Sequence, residues 1–384
     1  MMTTTIEKDS KSVFLPTIYK RTSTGKTQEW TIEVNGNKYR TISGQVDGKK
    51  VTSKFTVCAG KNTGKANATT PETQALREAE AKRKLKLGSE YTETVDAIDD
   101  TGVREPLLAQ NFKDYEEDIM ISVLGAEKVF SQPKLDGIRC IGKPDGLRSR
   151  NDKKIVAARH IETALAPIFK DYPDVVFDGE LYNHELKDNF DKIISLARKG
   201  KPSQEDLLES ERYIQYWIYD IQDPTKTFEE RDAFIQKCFI KYSSLRGVCT
   251  PVPTHEVKTR EYLDALYESY RDDGYEGQMV RRNGVYEFKR SMFLFKRKEF
   301  IDKEFEILGV IEGKGNRSGG AGKLMFEIEG KPFEANIKGG TALYERILRN
   351  PNEVIGKMAT VRYQNLTPKG IPRFPVCTVI RDYE

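Results

Sequence analysis

The sequence predicts an α+β protein built from several domains, and three observations carry that prediction. The chain has 384 residues, 38% hydrophobic and 32% charged, which is enough for two or three domains with real cores. Short β-rich runs near both ends are split by dipeptides suited to hairpin turns: Asn35-Gly36, Asp47-Gly48 and Glu329-Gly330. Between them lie segments with helical spacing, one of them carrying a full set of start and stop signals.

The elements follow in order. Asn35-Gly36 separates residues 30–34 from 38–42, and Asp47-Gly48 separates 41–46 from 51–57, so residues 13–57 read as a small antiparallel meander. Thr70-Pro71-Glu72 then supplies an N-cap, a first-turn proline and a first-turn acid. Lys82-Arg83-Lys84 and Lys86 close the helix before Gly88, with charge signs that suit the helix dipole. Between Lys8 and Lys86 there are 17 Lys and Arg against 7 Asp and Glu, a moderate nucleic-acid signal whose plain alternative is a solvated basic surface. Residues 89–105 are acidic and read as a mobile linker, which closes a first domain at 1–105. From 106 to 301 strands and helices mix, with helical spacing at 159–169 and 260–271 and a polar surface loop with a short helix at 198–211. Residues 302–384 have a clearer order. Strands at 305–311, 324–328 and 333–337 precede a helix at 342–348, and strands come after it at 358–364 and 376–380. That β-β-β-α-β-β order fits a five-stranded OB barrel.

The chemistry centres on Pro133-Lys134-Leu135-Asp136-Gly137-Ile138-Arg139. Asp-Gly signals a turn, which leaves Lys134 at a strand end. Desolvation or nearby cations can make such a lysine nucleophilic. Alone, K-x-D-G is a surface turn; the motifs C-terminal to it raise its weight. Ser149-Arg150 comes next, and then Phe177-Asp178-Gly179-Glu180-Leu181, where strand alternation puts two carboxylates on one face. Buried carboxylates are costly unless they meet cations. Tyr213 to Asp220 is an aromatic strand, read as core or as a base platform. Glu276 precedes a strand holding Arg281, and Lys296 and Lys298 share one face with Phe293 and Phe295 opposite. Two lysines facing one way suit a phosphate. Lysine nucleophile, carboxylates, aromatic strand and paired lysines together suit attack on the α-phosphate of a nucleotide.

Other chemistries are poorly supported. Residues 313–324 look like a phosphate loop, but Arg317 stands where a P-loop needs glycine and Leu324 where it needs Ser or Thr. The five cysteines form no C-x-x-C pair and the three histidines no metal-binding spacing. No apolar run approaches the roughly 18–20 residues of a membrane span. The N-terminus shows no secretory pattern, so an intracellular site is expected.

The ordered set K-L-D-G-I-R, S-R, F-D-G-E-L, Y-W-I-Y-D, E-G-Q-M-V-R and F-K-R-K resembles the covalent nucleotidyltransferase superfamily, and within it the ATP-dependent DNA ligases. The resemblance covers residues 106–384. It implies a nucleotidyltransferase domain of antiparallel sheets with flanking helices at 106–301, followed by the OB barrel. By resemblance, Lys134 and Asp136 are catalytic, and Lys134 receives AMP from ATP. Arg139, Glu180, Tyr219, Arg281, Lys296, Lys298 and Arg381 join Lys134 in contacting ATP or AMP. Asp136, Glu180 and Glu276 hold Mg²⁺ (or Mn²⁺), and Arg150 and Arg373 contact DNA. Thr367 to Pro375 resembles the last-strand segment of small DNA ligases, and Arg381-Asp382 the start of the final motif, although Tyr383-Glu384 departs from the family's basic ending. The N-terminal module, with Ile18 to Arg21 and Glu29-Trp30, resembles a WGR-like domain without the Trp-Gly-Arg signature. The partner implied is nicked double-stranded DNA, with no membrane, and the enzyme a monomer, in the host cytoplasm if phage-encoded. An RNA ligase or an mRNA capping guanylyltransferase is the alternative, as is a non-catalytic nucleic-acid-binding protein.

Overall fold

The computed structural model describes residues 12–22, 25–88, 91–98, 105–125, 127–187, 189–314 and 317–381. Lys8, most of the expected linker and Asp382-Tyr383-Glu384 lie outside the described residues. By internal packing the chain divides into two compact units, Val103–Glu299 and a second formed from Met1–Gly102 with Phe300–Glu384.

The N-terminal part holds one sheet built around the strands Thr27–Asn35 and Lys38–Gln45. Asn35 pairs with Lys38 across the expected two-residue turn, where Gly36 takes φ +56°. The second turn is wider than Asp47-Gly48 suggested: Ser43 pairs with Val51, so the connection spans 44–50. The helix Pro71–Leu87 forms as expected, the Thr70 side chain accepting the Thr73 N–H. Its Ala75 and Ala79 pack on Trp30 and Ile32 of the sheet. Residues 91–98 correct the linker expectation. Thr92 pairs with Tyr19, Tyr91 joins the small core beside Trp30, and Ile98 is buried.

The C-terminal part has six strands where five were expected. The predicted first strand breaks into Ile301–Glu306 and Gly309–Glu312, with Ile307 buried at the bend. The first piece pairs with Met358–Tyr363 and the second with Ala321–Ile328. One bent stretch of chain thus serves both ends of the sheet, which is how a barrel manages its edges. Glu329 (φ +51°) and Gly330 (φ +73°) make the expected hairpin turn. Residues 367–375 form a loop leading into the last strand, Val376–Ile380, not part of the strand itself.

The unit Val103–Glu299 holds two five-stranded sheets. One runs Gly146–Ser149, Ile138–Lys143, Phe177–Tyr182, Gln215–Ile221, Cys249–Pro251. The other runs His255–Val257, Val129–Lys134, Gly277–Arg282, Arg290–Arg297, Leu108–Asn111. Lys134 ends a strand of the second sheet and Ile138 begins one of the first. The turn that Asp-Gly signalled is therefore a crossing between sheets, Leu135-Asp136-Gly137, with Lys134 at a strand end as expected. Gly137 is needed for another reason: a Cβ there would stand 2.4 Å from the Leu181 carbonyl oxygen. The helices Arg159–Asp171, Gln204–Tyr213 and Arg260–Asp272 match expectation. Glu116–Leu124, Phe190–Ala197 and Phe228–Lys241 were not anticipated, although Thr227 and Glu230 form a capping box legible in the sequence. Among the described residues, no helix is long and apolar enough to cross a membrane.

Candidate active site

Seven of the predicted groups meet at a cavity of about 270 Å³, which Asp136, Glu276 and Lys298 do not line. Lys134, Arg139, Arg150, Glu180, Tyr219, Arg281 and Lys296 all line it. Strand alternation accounts for much of this: Lys296 faces the cavity while Phe295 is fully buried on the other face.

Lys134 Nζ is ion-paired to Glu276, which Lys298 Nζ also reaches at 3.1 Å. The backbone supports this pairing, because the Glu276 N–H donates to the Lys134 carbonyl at 3.0 Å. Burial pushes the Glu276 carboxyl up, but Lys134 and Lys298 outweigh it and hold it down at about 2. Burial, with Lys298, Arg290 and Lys134 nearby, lowers Lys296. Glu180 goes the other way: burial, reinforced by Asp178 and Glu276, pushes its carboxyl up to about 8 against the pull of Lys134 and Arg139. Tyr219 Oη lies 3.5 Å from Glu180 Oε2, and the Arg139 and Arg281 guanidinium groups lie 5.9 and 5.6 Å from the Tyr219 ring centroid.

Several expected contact residues are held by the protein itself. Arg139 makes a two-pronged pair with buried Asp178 and donates to the Leu107 carbonyl at 2.8 Å. Asp178 also accepts from the Tyr286 hydroxyl at 2.6 Å, so it serves Arg139 and Tyr286 and does not stand beside Glu180 at the cavity. Arg281 is buried, donating to Gln132 Oε1 at 2.7 Å and to Asp220 at 2.6 Å. Asp220 receives Arg231 as well, both partners about 1% exposed. Arg150 pairs with Glu105 at 3.1 Å and remains half-exposed. Asp136 is half-buried in the crossing between the sheets. Arg381 and Arg373 belong to the other unit; Arg381 pairs with Glu304 at 2.9 Å, and Arg373 lies over the Phe374 ring. The cavity also takes Gln132, Met279, Arg290 and the Leu108-Ala109 pair, which were not singled out. Alternation from Lys134 would have found Gln132; nothing local marks Arg290 or Leu108.

Among the described residues, no group of three His, Cys, Asp or Glu could by itself hold a metal. The donor set still suits an open, hydrated site. A hard cation of the Mg²⁺ kind needs one or two carboxylates plus substrate phosphates. The carboxyl of Glu180, pushed up to about 8, is one that a cation would draw into its ionised form.

A sheet pair that presents a strand-end lysine beside carboxylates, an aromatic side chain and further lysines is the equipment of a nucleotidyltransferase. Residues 106–298 match the model of the ATP dependent DNA ligase domain, and residues 312–381 that of the DNA ligase OB-like domain. The chain belongs to the ATP-dependent DNA ligase family. It is 26% identical to a DNA ligase of African swine fever virus (isolate Warthog/Namibia/Wart80/1980), over 94% of each chain. It is 25% identical to a DNA ligase of Haemophilus influenzae, over 64% of this chain and 87% of that one. A solved Lig E DNA ligase has the same fold, with TM-score 0.60 and 23% identity over 73% of this chain and all of that one. The RNA ligase and guanylyltransferase alternatives are not favoured. The two family matches leave out the N-terminal module, and its WGR-like reading is not confirmed.

Proposed function

We propose that this ligase seals nicks in duplex DNA in three steps, with Lys134 as the nucleophile. In the first, Lys134 Nζ attacks the α-phosphate of ATP; a P–N bond forms, the bond to pyrophosphate breaks and the ammonium proton is lost. In the second, AMP passes from Lys134 to the 5′-phosphate of the nick, restoring the free amine. In the third, the 3′-hydroxyl attacks that phosphate and AMP leaves. The observation that carries this reading is Lys134 at the cavity wall with Tyr219, Glu180 and Lys296 around the same space.

The residue roles are those that the family resemblance implies, and the surroundings of several side chains support them. Tyr219 offers its ring to adenine between two guanidinium groups. Glu180 and Arg139 contact the ribose by the resemblance, with Asp178 holding Arg139 in place. Lys296 and Lys298 stabilise charge at the α-phosphate, and Arg281 acts from beneath by holding Gln132 and the Tyr219 strand. A hydrated Mg²⁺ or Mn²⁺ would draw its protein ligands from among Glu276, Glu180 and Asp136, complete them with water and the substrate's phosphates, and supply the positive charge that offsets the triphosphate. Glu276, held at about 2, is too weak a base to take the Lys134 proton while paired to it. Attack therefore requires the pair to open as the nucleotide enters. By the same resemblance Arg150 reads the 5′-phosphate of the nick, Arg373 contacts DNA and Arg381 orients pyrophosphate. The basic N-terminal module adds phosphate contacts without base readout. The domains are taken as 1–105, 106–301 and 302–384, and the enzyme as a monomer serving DNA replication, repair and recombination inside the cell, in the host cytoplasm if phage-encoded.

The test is protein incubated with Mg²⁺ and α-labelled ATP or GTP. ATP should label the chain, Lys134→Ala should abolish the label, and nicked duplex DNA should discharge it. Label from GTP alone, or persistent label in Lys134→Ala, would overturn the reading.

A further inference from the structure

Glu180 and Glu276 come from different sheets, and something must set their separation. Glu180 lies on the strand Phe177–Tyr182. Glu276 comes after the helix Arg260–Asp272, through a short turn at Asp273-Gly274-Tyr275. That turn is closed on its own side by Asp273 N–H to Ser269, Gly274 N–H to Arg271 and Tyr275 N–H to Tyr270, each 2.9 Å. It is then gripped from the other sheet. His184, two residues past the Glu180 strand, has Nε2 3.1 Å from the Asp273 carbonyl oxygen. A carbonyl only accepts, so Nε2 carries the hydrogen, and Nδ1 accepts from the buried Tyr182 hydroxyl at 2.9 Å. The ring lies on Tyr275, with centroids 4.4 Å apart and a 32° tilt. Lys187 Nζ donates to the same Asp273 carbonyl at 2.7 Å. Gly274 (φ +88°) permits this approach, since a Cβ there would meet Lys187 at 2.7–2.8 Å.

We propose that His184 is a positioning residue for Lys134. It fastens the turn that delivers Glu276 to the strand that delivers Glu180, and so sets where Glu276 meets Lys134. No role in substrate contact competes with this one, since His184 does not line the cavity and both of its nitrogens are committed within the fold. This rests on Lys134 being the adenylylated residue. Because Nε2 makes the cross-sheet bond, glutamine, whose amide nitrogen reaches the same distance, should replace histidine better than alanine does.

The experiment compares full-length wild type, His184→Ala, His184→Gln and Lys187→Ala. Two readouts are taken: single-turnover self-adenylylation with labelled ATP, and amide hydrogen exchange over residues 272–277. His184→Ala should speed exchange in that segment. It should lower the rate of adenylylation roughly ten- to a hundred-fold, as small misplacements of reacting groups do, with KM for ATP little changed. His184→Gln should recover most of both, and Lys187→Ala should show a weaker version of each. Equal losses in the alanine and glutamine variants would overturn the proposal. So would faster exchange with an unchanged rate, or unchanged exchange. Label persisting in Lys134→Ala would overturn the nucleophile assignment and leave the exchange result standing as a statement about the turn.

Discussion

At the scale of single residues, two carboxyls of one site are driven in opposite directions. Glu276 meets Lys134 and Lys298 and is held at about 2, whereas Glu180, with burial dominating, is held at about 8. Their effects on stability differ in sign and in pH window. An ordinary glutamate titrates near 4.5. Between there and about 8 the folded chain keeps a proton on Glu180 that the unfolded chain has released, so stability falls as pH rises through that window. Glu276 contributes stability above 4.5 that is lost as pH falls towards 2. Glu180→Gln should therefore flatten the decline in Tm between pH 5 and pH 8, on the order of several degrees across the window. Thermal unfolding of both proteins at matched ionic strength checks this; parallel curves would show that Glu180 is not proton-bound in the folded chain.

At the scale of elements, the contacts that join the two sheets are strongly polar. Asp220 on the strand Gln215–Ile221 takes Arg231 from the helix Phe228–Lys241 and Arg281 from the strand Gly277–Arg282. All three side chains are at most 4% exposed. Removing the acid leaves two buried guanidinium groups without their counter-charge. Asp220→Ala should then cost about 3–5 kcal/mol, read as a shift in the urea midpoint. Asp220→Asn should fall between, since it keeps the shape and loses the charge. A cost below about 1 kcal/mol, the range of exposed pairs, would show that the triad is not what joins the elements. The same cluster holds Gln132 and the backbone of Tyr219, so the Asp220 variants should also weaken ATP binding.

At the scale of the whole molecule, the excess of basic residues in the N-terminal part has a spatial form. Lys20, Lys82 and Lys86 lie over Tyr91, Tyr39 and Trp30, with Lys86 also over Tyr91, at 5.0–5.8 Å from the ring centroids. Held across rings in this way, the ammonium groups form an ordered basic face. If it meets DNA phosphates, Lys82→Glu with Lys86→Glu should weaken binding to a nicked duplex. The slope of log affinity against log salt should then shrink by about 0.9 for each phosphate no longer neutralised. Self-adenylylation should not change, because the cavity belongs to the other unit. An unchanged slope would assign the basic face to solvation alone.

The sequence by itself determined most of the regular elements and singled out side chains that the structure gathers at one cavity. Lys134, Glu180, Tyr219 and Lys296 were legible because motif spacing and strand alternation are local properties, and the helix Pro71–Leu87 because its caps are local too. The tertiary structure alone decided what each charge faces. Asp136-Gly137 read as a turn, and only the structure shows that it carries the chain from one sheet to the other, with Gly137 required by the Leu181 backbone beyond it. Arg281 and Arg139 read as substrate contacts; both line the cavity, and what the sequence does not show is that Asp220 and Asp178, distant in sequence, hold them there. His184 carried no signal, because its bond to Asp273 joins residues 89 positions apart. Local pattern arises from backbone geometry over a few residues. The pairing of buried charges depends on which distant strands pack together, and that is settled only when the whole core closes.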